Sequence, residues 1–192
     1  FAKAQLVTND GAAIFSDNGA LIFVDGEIVN QNGGTYDNSG TIELTGDWTN
    51  NAGNNAFTNS SPGEVLMSGG SQLIQGTDPT HFHDLTLTGT GIKTQAVDAH
   101  VEDTLDLTDR ELGTDIYTMF ILSTNTTAIN RTTGFVSSLG SGGLSRNTDA
   151  NTVYRYPLGS SVGVLRYRPI ELFPTTANPH TYKARMANVD AT

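Results

Sequence analysis

Ile42-Glu43-Leu44-Thr45-Gly46 is a strand-like phrase in which two apolar residues flank a polar one and turn-forming residues follow. Four similar phrases occur along the chain: Ile22-Phe23-Val24-Asp25-Gly26, Val65-Leu66-Met67-Ser68-Gly69, Leu85-Thr86-Leu87-Thr88-Gly89 and Leu105-Asp106-Leu107-Thr108-Asp109. Successive phrases begin 20, 23, 20 and 20 residues apart. A period of about 20 residues with one strand and one turn is typical of a solenoid, because no single repeat can bury its own apolar face.

Two inward columns follow from the alternation of side chains along a strand, since the first and third residues of each phrase share one face. The first column holds Ile22, Ile42, Val65, Leu85 and Leu105, and the second holds Val24, Leu44, Met67, Leu87 and Leu107. A sixth, looser repeat is predicted at Phe120-Ile121-Leu122.

Two further apolar points accompany each phrase and indicate a triangular cross-section. After each turn a second strand carries Ile28, Trp48, Leu73 or Ile74, Ile92 and Leu112. Before each phrase a third apolar point falls at Tyr36, Phe57, Phe82, Val101 and Tyr117. The sequence therefore predicts an all-β fold, a right-handed parallel β-helix (solenoid) of about six rungs, where a rung is one coil of the chain.

The corners between strands are predicted at stretches rich in Asn and Gly, namely Asn30-Gln31-Asn32-Gly33-Gly34, Asp37-Asn38-Ser39-Gly40 and Asn50-Asn51-Ala52-Gly53-Asn54-Asn55. These residue types tolerate the positive φ of a tight corner. An antiparallel sandwich uses similar turns, but its strands recur every 8 to 12 residues or so, without a longer echo.

The pattern changes after about residue 145. Tyr154–Gly159 and Arg166–Leu172 are alternating strands bounded by Pro and Gly, which favours a partial antiparallel, β-sandwich-like segment. We therefore predict a β-helix over residues 5–145 and the start of a second, truncated β domain over residues 146–192. Residues 1–4 are predicted to be the remnant of a signal peptide, because Ala2 and Ala4 fit the small-residue cleavage pattern.

Charge excludes two classes of partner. The 192-residue chain has a formal net charge of −10, and residues 1–109 hold 15 acidic and 2 basic residues. Nucleic acid and anionic lipid both require a basic face, so neither is a predicted partner. The absence of cysteine excludes disulfides and thiolate metal sites. No apolar stretch reaches the roughly 18 residues of a membrane span, so no membrane insertion is predicted.

A series of motifs resembles a group of long secreted proteins. It comprises Asn30–Gly34 with Asp37–Gly40, Gly40–Asn51, His81-Phe82-His83-Asp84-Leu85-Thr86-Leu87, Ala128–Arg131 with Gly134–Val136, Tyr156–Gly159 and Tyr167–Ile170. This order resembles surface proteins of the Bacteroidetes that are exported by type IX secretion, often of the gliding-motility-associated type. The chain departs from that pattern at His83, where an aromatic Tyr is usual.

The resemblance implies an N-terminal stalk or passenger region of a larger exported protein, with a sorting domain beyond Thr192. It carries over no catalytic residues. Asp103-Thr104-Leu105 also resembles the short acceptor sequence for O-glycosylation in this bacterial group.

Metal binding is considered for two sets of residues. His81 and His83 lie on one side of a strand and His100 about one coil later, so stacked coils could bring three imidazoles together. An acidic run could supply oxygen ligands for calcium: Asp98, Glu102, Asp103, Asp106, Asp109, Glu111 and Asp115. The run lacks the spaced glycines of a calcium-loaded roll, and histidines commonly serve packing or face solvent. We therefore assign no metal-binding residue.

Catalysis and ice binding are also weighed. Glycoside cleavage needs a carboxylate pair beside a cleft, and lyase chemistry needs a base. The helical half has only Lys3 and Lys93 as basic residues before Arg110, so no catalytic or cofactor-binding residue is assigned. Thr86-x-Thr88-x-Thr90 suggests an ice-binding face. The outward column Asp25, Thr45, Ser68, Thr88, Thr108 and Ser123 is nearly all hydroxyl, but its neighbour is mixed, which favours a ladder that stabilises one sheet face.

The predicted function is that of a non-catalytic protein, secreted or at the bacterial cell surface, which acts as a stalk, an adhesive or a structural segment without a cofactor. Its partners would be neighbouring domains or identical subunits, with surface glycans as a further possibility. Two alternatives stay open: a filament subunit that stacks through its coil ends, and a polysaccharide-active β-helix enzyme.

Overall fold

The computed structural model describes residues 5–57, 62–175 and 180–186, and these residues form strands without any helix. In chain order the strands are β1 (Gln5–Asp10), β2 (Ala13–Ser16), β3 (Leu21–Val24), β4 (Gly26–Gln31), β5 (Thr35–Asn38), β6 (Thr41–Leu44), β7 (Trp48–Asn51), β8 (Glu64–Met67), β9 (Gln72–Gly76), β10 (Thr80–Phe82), β11 (Asp84–Leu87), β12 (Lys93–Gln95), β13 (Ala99–Val101), β14 (Leu105–Asp106), β15 (Glu111–Gly113), β16 (Thr118–Ile121), β17 (Ile129–Asn130), β18 (Phe135–Ser137), β19 (Gly143–Thr148), β20 (Tyr154–Tyr156), β21 (Gly159–Ser160), β22 (Arg166–Tyr167), β23 (Ile170–Leu172) and β24 (His180–Ala184). A membrane-spanning helix is accordingly not found in this described part.

The strands stack in parallel into a β-solenoid of about seven turns. The first sheet has the order β1-β4-β7-β9-β12-β15-β18, and the second has the order β3-β6-β8-β11-β14-β17. The third sheet has the order β10-β13-β16-β19-β24, with the pair β2-β5 preceding it along the chain. The prediction of an all-β parallel solenoid is confirmed.

The second sheet is built from the repeated phrases. Ile22 pairs with Ile42, and the register continues through Val65 and Leu85 to Leu105. From Ile42 onward these side chains are at most 1% exposed, and the companion column through Leu44 and Met67 is buried as well. The period therefore sets both inward columns as predicted.

The predicted sixth repeat is wrong. The strand after Leu105 in the second sheet begins at Ile129, which pairs with it, whereas Phe120 pairs with His100 in the third sheet. The coil from Leu105 to Ile129 is longer than the preceding ones. The 15 residues from Leu105 to Phe120 therefore take the chain only as far as the third sheet.

Two other inward positions also differ from prediction. Ile92 is 40% exposed and its neighbour Lys93 faces inward instead, between Gln72 and Leu112. Tyr117 precedes β16, where its amide donates to Thr114 O at 2.8 Å and closes a turn. Hydrogen bonding to the adjacent coil fixes which residue faces inward, and here it overrides apolar character.

The corner asparagines act through their side chains more than through positive φ. Among the Asn residues of the predicted corners, only Asn32 has a positive φ. Asn30 and Asn50 are fully buried, and Asn9 is nearly so, at paired positions of β1, β4 and β7. Asn50 Nδ2 donates to Gly53 O and to Pro79 O, both at 2.9 Å. This ladder supplies donors to corner carbonyls that would otherwise be buried unpaired.

The C-terminal part covers one end of the solenoid with antiparallel strands. Strands β19 and β24 pair antiparallel, as do β20 with β23 and β21 with β22. Tyr154, Tyr156 and Leu158 belong to the same buried cluster as the solenoid core, and Leu158 bridges Val136 of β18. The expected antiparallel segment is confirmed.

The predicted domain boundary at residues 145 and 146 falls inside β19. The division into two domains stays a prediction. The predicted signal remnant, residues 1–4, lies outside the described residues, as do residues 187–192.

Candidate functional site

Two of the three histidines considered for metal binding stack on each other on the third sheet. His81, His100 and Phe120 are level in β10, β13 and β16. The rings of His81 and His100 are parallel, with centroids 4.1 Å apart, and Phe120 stacks on His100 at 4.6 Å. His81 Nδ1 lies 2.9 Å from Glu102 Oε1. These contacts make the two imidazoles part of a packed ring ladder.

His100 is the middle ring of this ladder, between His81 and Phe120. Its Nδ1 is buried without a hydrogen-bond partner. Burial, followed by the nearby His81, lowers the pKa of His100, against the smaller opposing effects of Glu102 and Asp98. The ladder therefore favours a neutral His100 at neutral pH.

His83 lies apart from that ladder, in a cluster with two carboxylates. Ligand atoms of His83, Asp84 and Asp103 all lie within 4.8 Å of one another, and this is the metal-type group of three found in the described part of the chain. His83 Nδ1 is 3.2 Å from Asp84 Oδ2. The three histidines considered from the sequence do not form such a group, whereas His83 gains two acidic neighbours.

Coil register positions this corner cluster. Leu85 of β11 pairs with Leu105 of β14, and the same register counted back along both coils places Asp84 opposite Thr104 and His83 opposite Asp103. Thr104 N donates to Asp84 Oδ1 at 2.9 Å, and Asp103 N donates to His83 O at 3.0 Å. Sequence reasoning did not single out Asp84. The 20-residue offset between the phrases places His83 level with Asp103, and this offset was the signal that could have indicated the cluster.

The remaining residues of the acidic run that was considered for calcium are dispersed. Asp98 Oδ1 accepts from Thr118 N, and Asp106 Oδ1 accepts from Thr108 N, both at 2.8 Å. The hydrogen bond from Arg110 is the largest effect that lowers the pKa of Asp109. These carboxylates cap turns and pair locally.

The predicted hydroxyl column contacts the preceding coil. Thr45 Oγ1 donates to Asp25 Oδ1 at 2.9 Å, and Ser68 Oγ donates to Glu43 Oε1 at 2.7 Å. Thr108 Oγ1 donates to Leu87 O at 2.5 Å. These bonds connect neighbouring rungs, as a stabilising ladder would.

A shallow cleft adjoins the corner cluster. It has a volume of about 410 Å³ and contains Asp84 and Glu64, which pair in register on β11 and β8. Leu21, Thr41 and Pro62 also line it. The cleft thus has two carboxylates on adjacent strands, and a carboxylate pair is one of the requirements of glycoside cleavage.

Lys93 is a buried cation inside the solenoid. Its side chain is fully buried, and Nζ donates to Gly70 O at 2.6 Å, to Gln72 Oε1 at 2.7 Å and to Gly69 O at 2.9 Å. Burial, with a smaller contribution from Arg110, lowers the pKa of Lys93 to about 8. Oxygen acceptors at one corner hold this ammonium in place of a carboxylate partner.

Lys93 is expected to make stability rise with pH between about 8 and about 10.5. In this window the unfolded chain holds the proton and the folded chain releases it, so raising the pH favours the fold by up to about 1.4 kcal/mol per pH unit. Urea unfolding of the wild type and of Lys93→Met at pH 7.5, 9 and 10 measures this difference. Tyr36 and Tyr156, whose pKa burial raises to about 12, are common to both chains and cancel.

The matched control for this experiment is Lys183→Met, because Lys183 is exposed. Its pH profile should follow the wild type. Parallel profiles for the wild type and Lys93→Met would contradict the assignment.

No family model, curated protein or solved structure matches this chain. The resemblance to secreted Bacteroidetes proteins therefore stays a prediction, and the function is inferred from the residues themselves.

Proposed function

We propose that this chain is a non-catalytic, exported structural segment that extends and presents neighbouring parts of a surface protein. The observation that supports it is the continuous core. One buried cluster runs from Val24 through Trp48 and Leu105 to Leu158, along the solenoid and into its cap. Each rung of a solenoid contacts only its neighbours, so the chain extends in one direction. A continuous core along that direction can hold the parts at its two ends at a fixed separation.

The partners proposed for this segment are neighbouring domains of the same protein, with glycans at its polar corners. The acidic first half supports this choice, since it repels nucleic acid and anionic lipid. Exposed Asn and Thr side chains at the corners can donate to and accept from sugar hydroxyls.

A filament subunit is a second candidate, for which the first turn offers one open end. In the described residues β1, β2 and β3 each have a neighbouring strand on one side only. Leu6, Phe15 and Phe23 of these strands are each more than 50% exposed. The opposite end is covered by β20–β24, so head-to-tail stacking would have to displace that cap. Association through the first turn alone gives a closed dimer.

An enzyme acting on polysaccharides is a third candidate, supported by the cleft with Glu64 and Asp84. One of the Asp84 oxygens already accepts from Thr104 N and the other faces His83. This carboxylate is thus held by its own corner, which favours a structural role.

Surface labelling tests the main proposal. An antibody against this chain should label intact cells of the organism that encodes it, and labelling only after permeabilisation would contradict export.

The purified chain should release no reducing ends from a panel of neutral and acidic glycans. Release that is lost in Glu64→Gln would overturn the non-catalytic proposal in favour of the enzyme. Analytical ultracentrifugation at high protein concentration tests the filament candidate. A filament subunit should form polymers whose size grows with concentration.

A further inference from the structure

We infer that His83, Asp84 and Asp103 form a binding site for a divalent transition-metal ion, with Zn²⁺ the best fit. This inference is independent of the proposed structural function. It concerns the corner where β10 turns into β11 and where the next coil enters β14.

The donor set matches the preference of Zn²⁺ for imidazole nitrogen and carboxylate oxygen, with three protein ligands and one open position. Two ligand atoms about 2.0 Å from a tetrahedral ion lie about 3.3 Å apart. His83 Nδ1 and Asp84 Oδ2 are 3.2 Å apart, within hydrogen-bond distance, so an ion that replaces the shared proton would meet two ligand atoms at this spacing. Asp103 has a ligand atom within 4.8 Å of both, which makes it the third ligand of the proposed site.

Local charge favours a dication at this corner. Asp84 and Asp103 are two carboxylates on adjacent coils, and in the described part of the chain neither forms an ion pair with Lys or Arg. His83 is the one ion-pair partner of Asp84 there, and it carries charge only when protonated. With a neutral imidazole the cluster holds two negative charges, which a divalent ion neutralises.

The residues that adjoin the cluster on both coils are anchored in the core. Leu85, which follows Asp84, and Leu105, two residues after Asp103, are both fully buried. Thr104 N holds one oxygen of Asp84, which leaves the other oxygen for the ion. Asp84 begins strand β11, while His83 and Asp103 lie in the bends before β11 and β14, where Asp103 N donates to His83 O at 3.0 Å. Backbone hydrogen bonds between the two coils therefore hold the ligands close together. A bound ion would join β11 to β14 across the coil boundary.

Other ions and other histidines fit less well. Ca²⁺ and Mg²⁺ prefer oxygen ligands in larger number, so the imidazole argues against both. The ring ladder offers His81 and His100, but their rings lie face to face at 4.1 Å, and in the described part of the chain they belong to no group of three ligand atoms. The site is therefore assigned to the corner cluster.

Calorimetric titration of the full chain with ZnCl₂ at pH 7.5 tests the assignment. The wild type should bind one ion per chain. His83→Ala and Asp103→Asn should each weaken binding by at least about tenfold. His81→Ala and His180→Ala are matched controls, since they remove a histidine outside the cluster, and they should bind like the wild type. Circular dichroism verifies that each variant is folded.

Cobalt provides a second measurement that a structural effect of the substitutions would not mimic. Co²⁺ should give the visible absorption of a tetrahedral site in the wild type and in His81→Ala, but not in His83→Ala or Asp103→Asn. At the same concentration, Zn²⁺ should raise the Tm of the wild type more than that of Asp103→Asn. The proposal is overturned if the wild type binds no Zn²⁺, if the His83 variant binds it equally well, or if binding disappears in His81→Ala instead.

Discussion

Trp48→Ala is expected to lower the free energy of unfolding by about 4 kcal/mol, the range found when a large aromatic is removed from a core. Trp48 is the one tryptophan of the chain and is fully buried. Its ring stacks on Phe57 at 5.2 Å and contacts Phe82 edge-on at 5.7 Å. Alanine would leave a cavity between coils, because strands on either side are held in register and cannot close around it.

The indole also makes a polar contact. Trp48 Nε1 donates to Thr80 Oγ1 at 2.9 Å inside the core. Trp48→Phe keeps most of the apolar volume and loses this bond, so we expect a smaller loss of about 1–2 kcal/mol.

Urea unfolding followed by circular dichroism measures both Trp48 variants. Phe15→Ala is the control, because Phe15 is 71% exposed and its removal should change stability by less than about 0.5 kcal/mol. Equal losses for Trp48→Ala and Phe15→Ala would contradict the packing described here.

Gly69→Ala is expected to cost about 3 kcal/mol, at the upper end of overpacking effects. Gly69 ends the third phrase, where the chain turns the corner directly over the previous coil. A Cβ on Gly69 would lie 1.8 Å from Thr45 O and 2.6 Å from Thr45 C. Both are backbone atoms of the neighbouring coil, so relief requires the coils to move apart.

Gly70→Ala is the matched control for this prediction. Its Cβ would have Thr90 Oγ1 as nearest neighbour, at 3.9 Å, which is an ordinary contact. The same change one residue later should therefore alter the free energy of unfolding by less than about 0.5 kcal/mol. Comparable losses in the two variants, measured by urea unfolding, would refute the close approach as the cause.

The glycine that ends each phrase thus marks contact between coils, and its loss marks where the repeat changes. The fifth phrase ends in Asp109, and there Thr108 adopts a positive φ of 43°. Thr108 O then accepts from Thr132 N, Thr133 N and Gly134 N, at 2.6, 3.1 and 3.0 Å. The longer coil from Leu105 to Ile129 follows this altered corner, which explains why the short spacing to Phe120 misled the sequence prediction.

The candidate metal site was accessible to the sequence only in part. His83 and Asp103 were both singled out, but in separate sets, a histidine set and an acidic set. Their meeting follows from the 20-residue offset of Leu85 and Leu105, which places one level with the other. Asp84 was overlooked because it begins the strand that carries the apolar phrase.

The sequence by itself determined the parallel solenoid, its phrase columns from Ile22 to Leu107, and the antiparallel strands near Tyr154. Alternation and repeat spacing are properties of the sequence itself, so both can be recognised before the structure is known. Only the tertiary structure decided that Ile129 continues the second sheet, that Lys93 turns inward in place of Ile92, and that His83 meets Asp103 while His81 stacks on His100. These outcomes depend on the number of residues in each corner, because hydrogen bonds between neighbouring coils, and not apolar character alone, fix which residues are level.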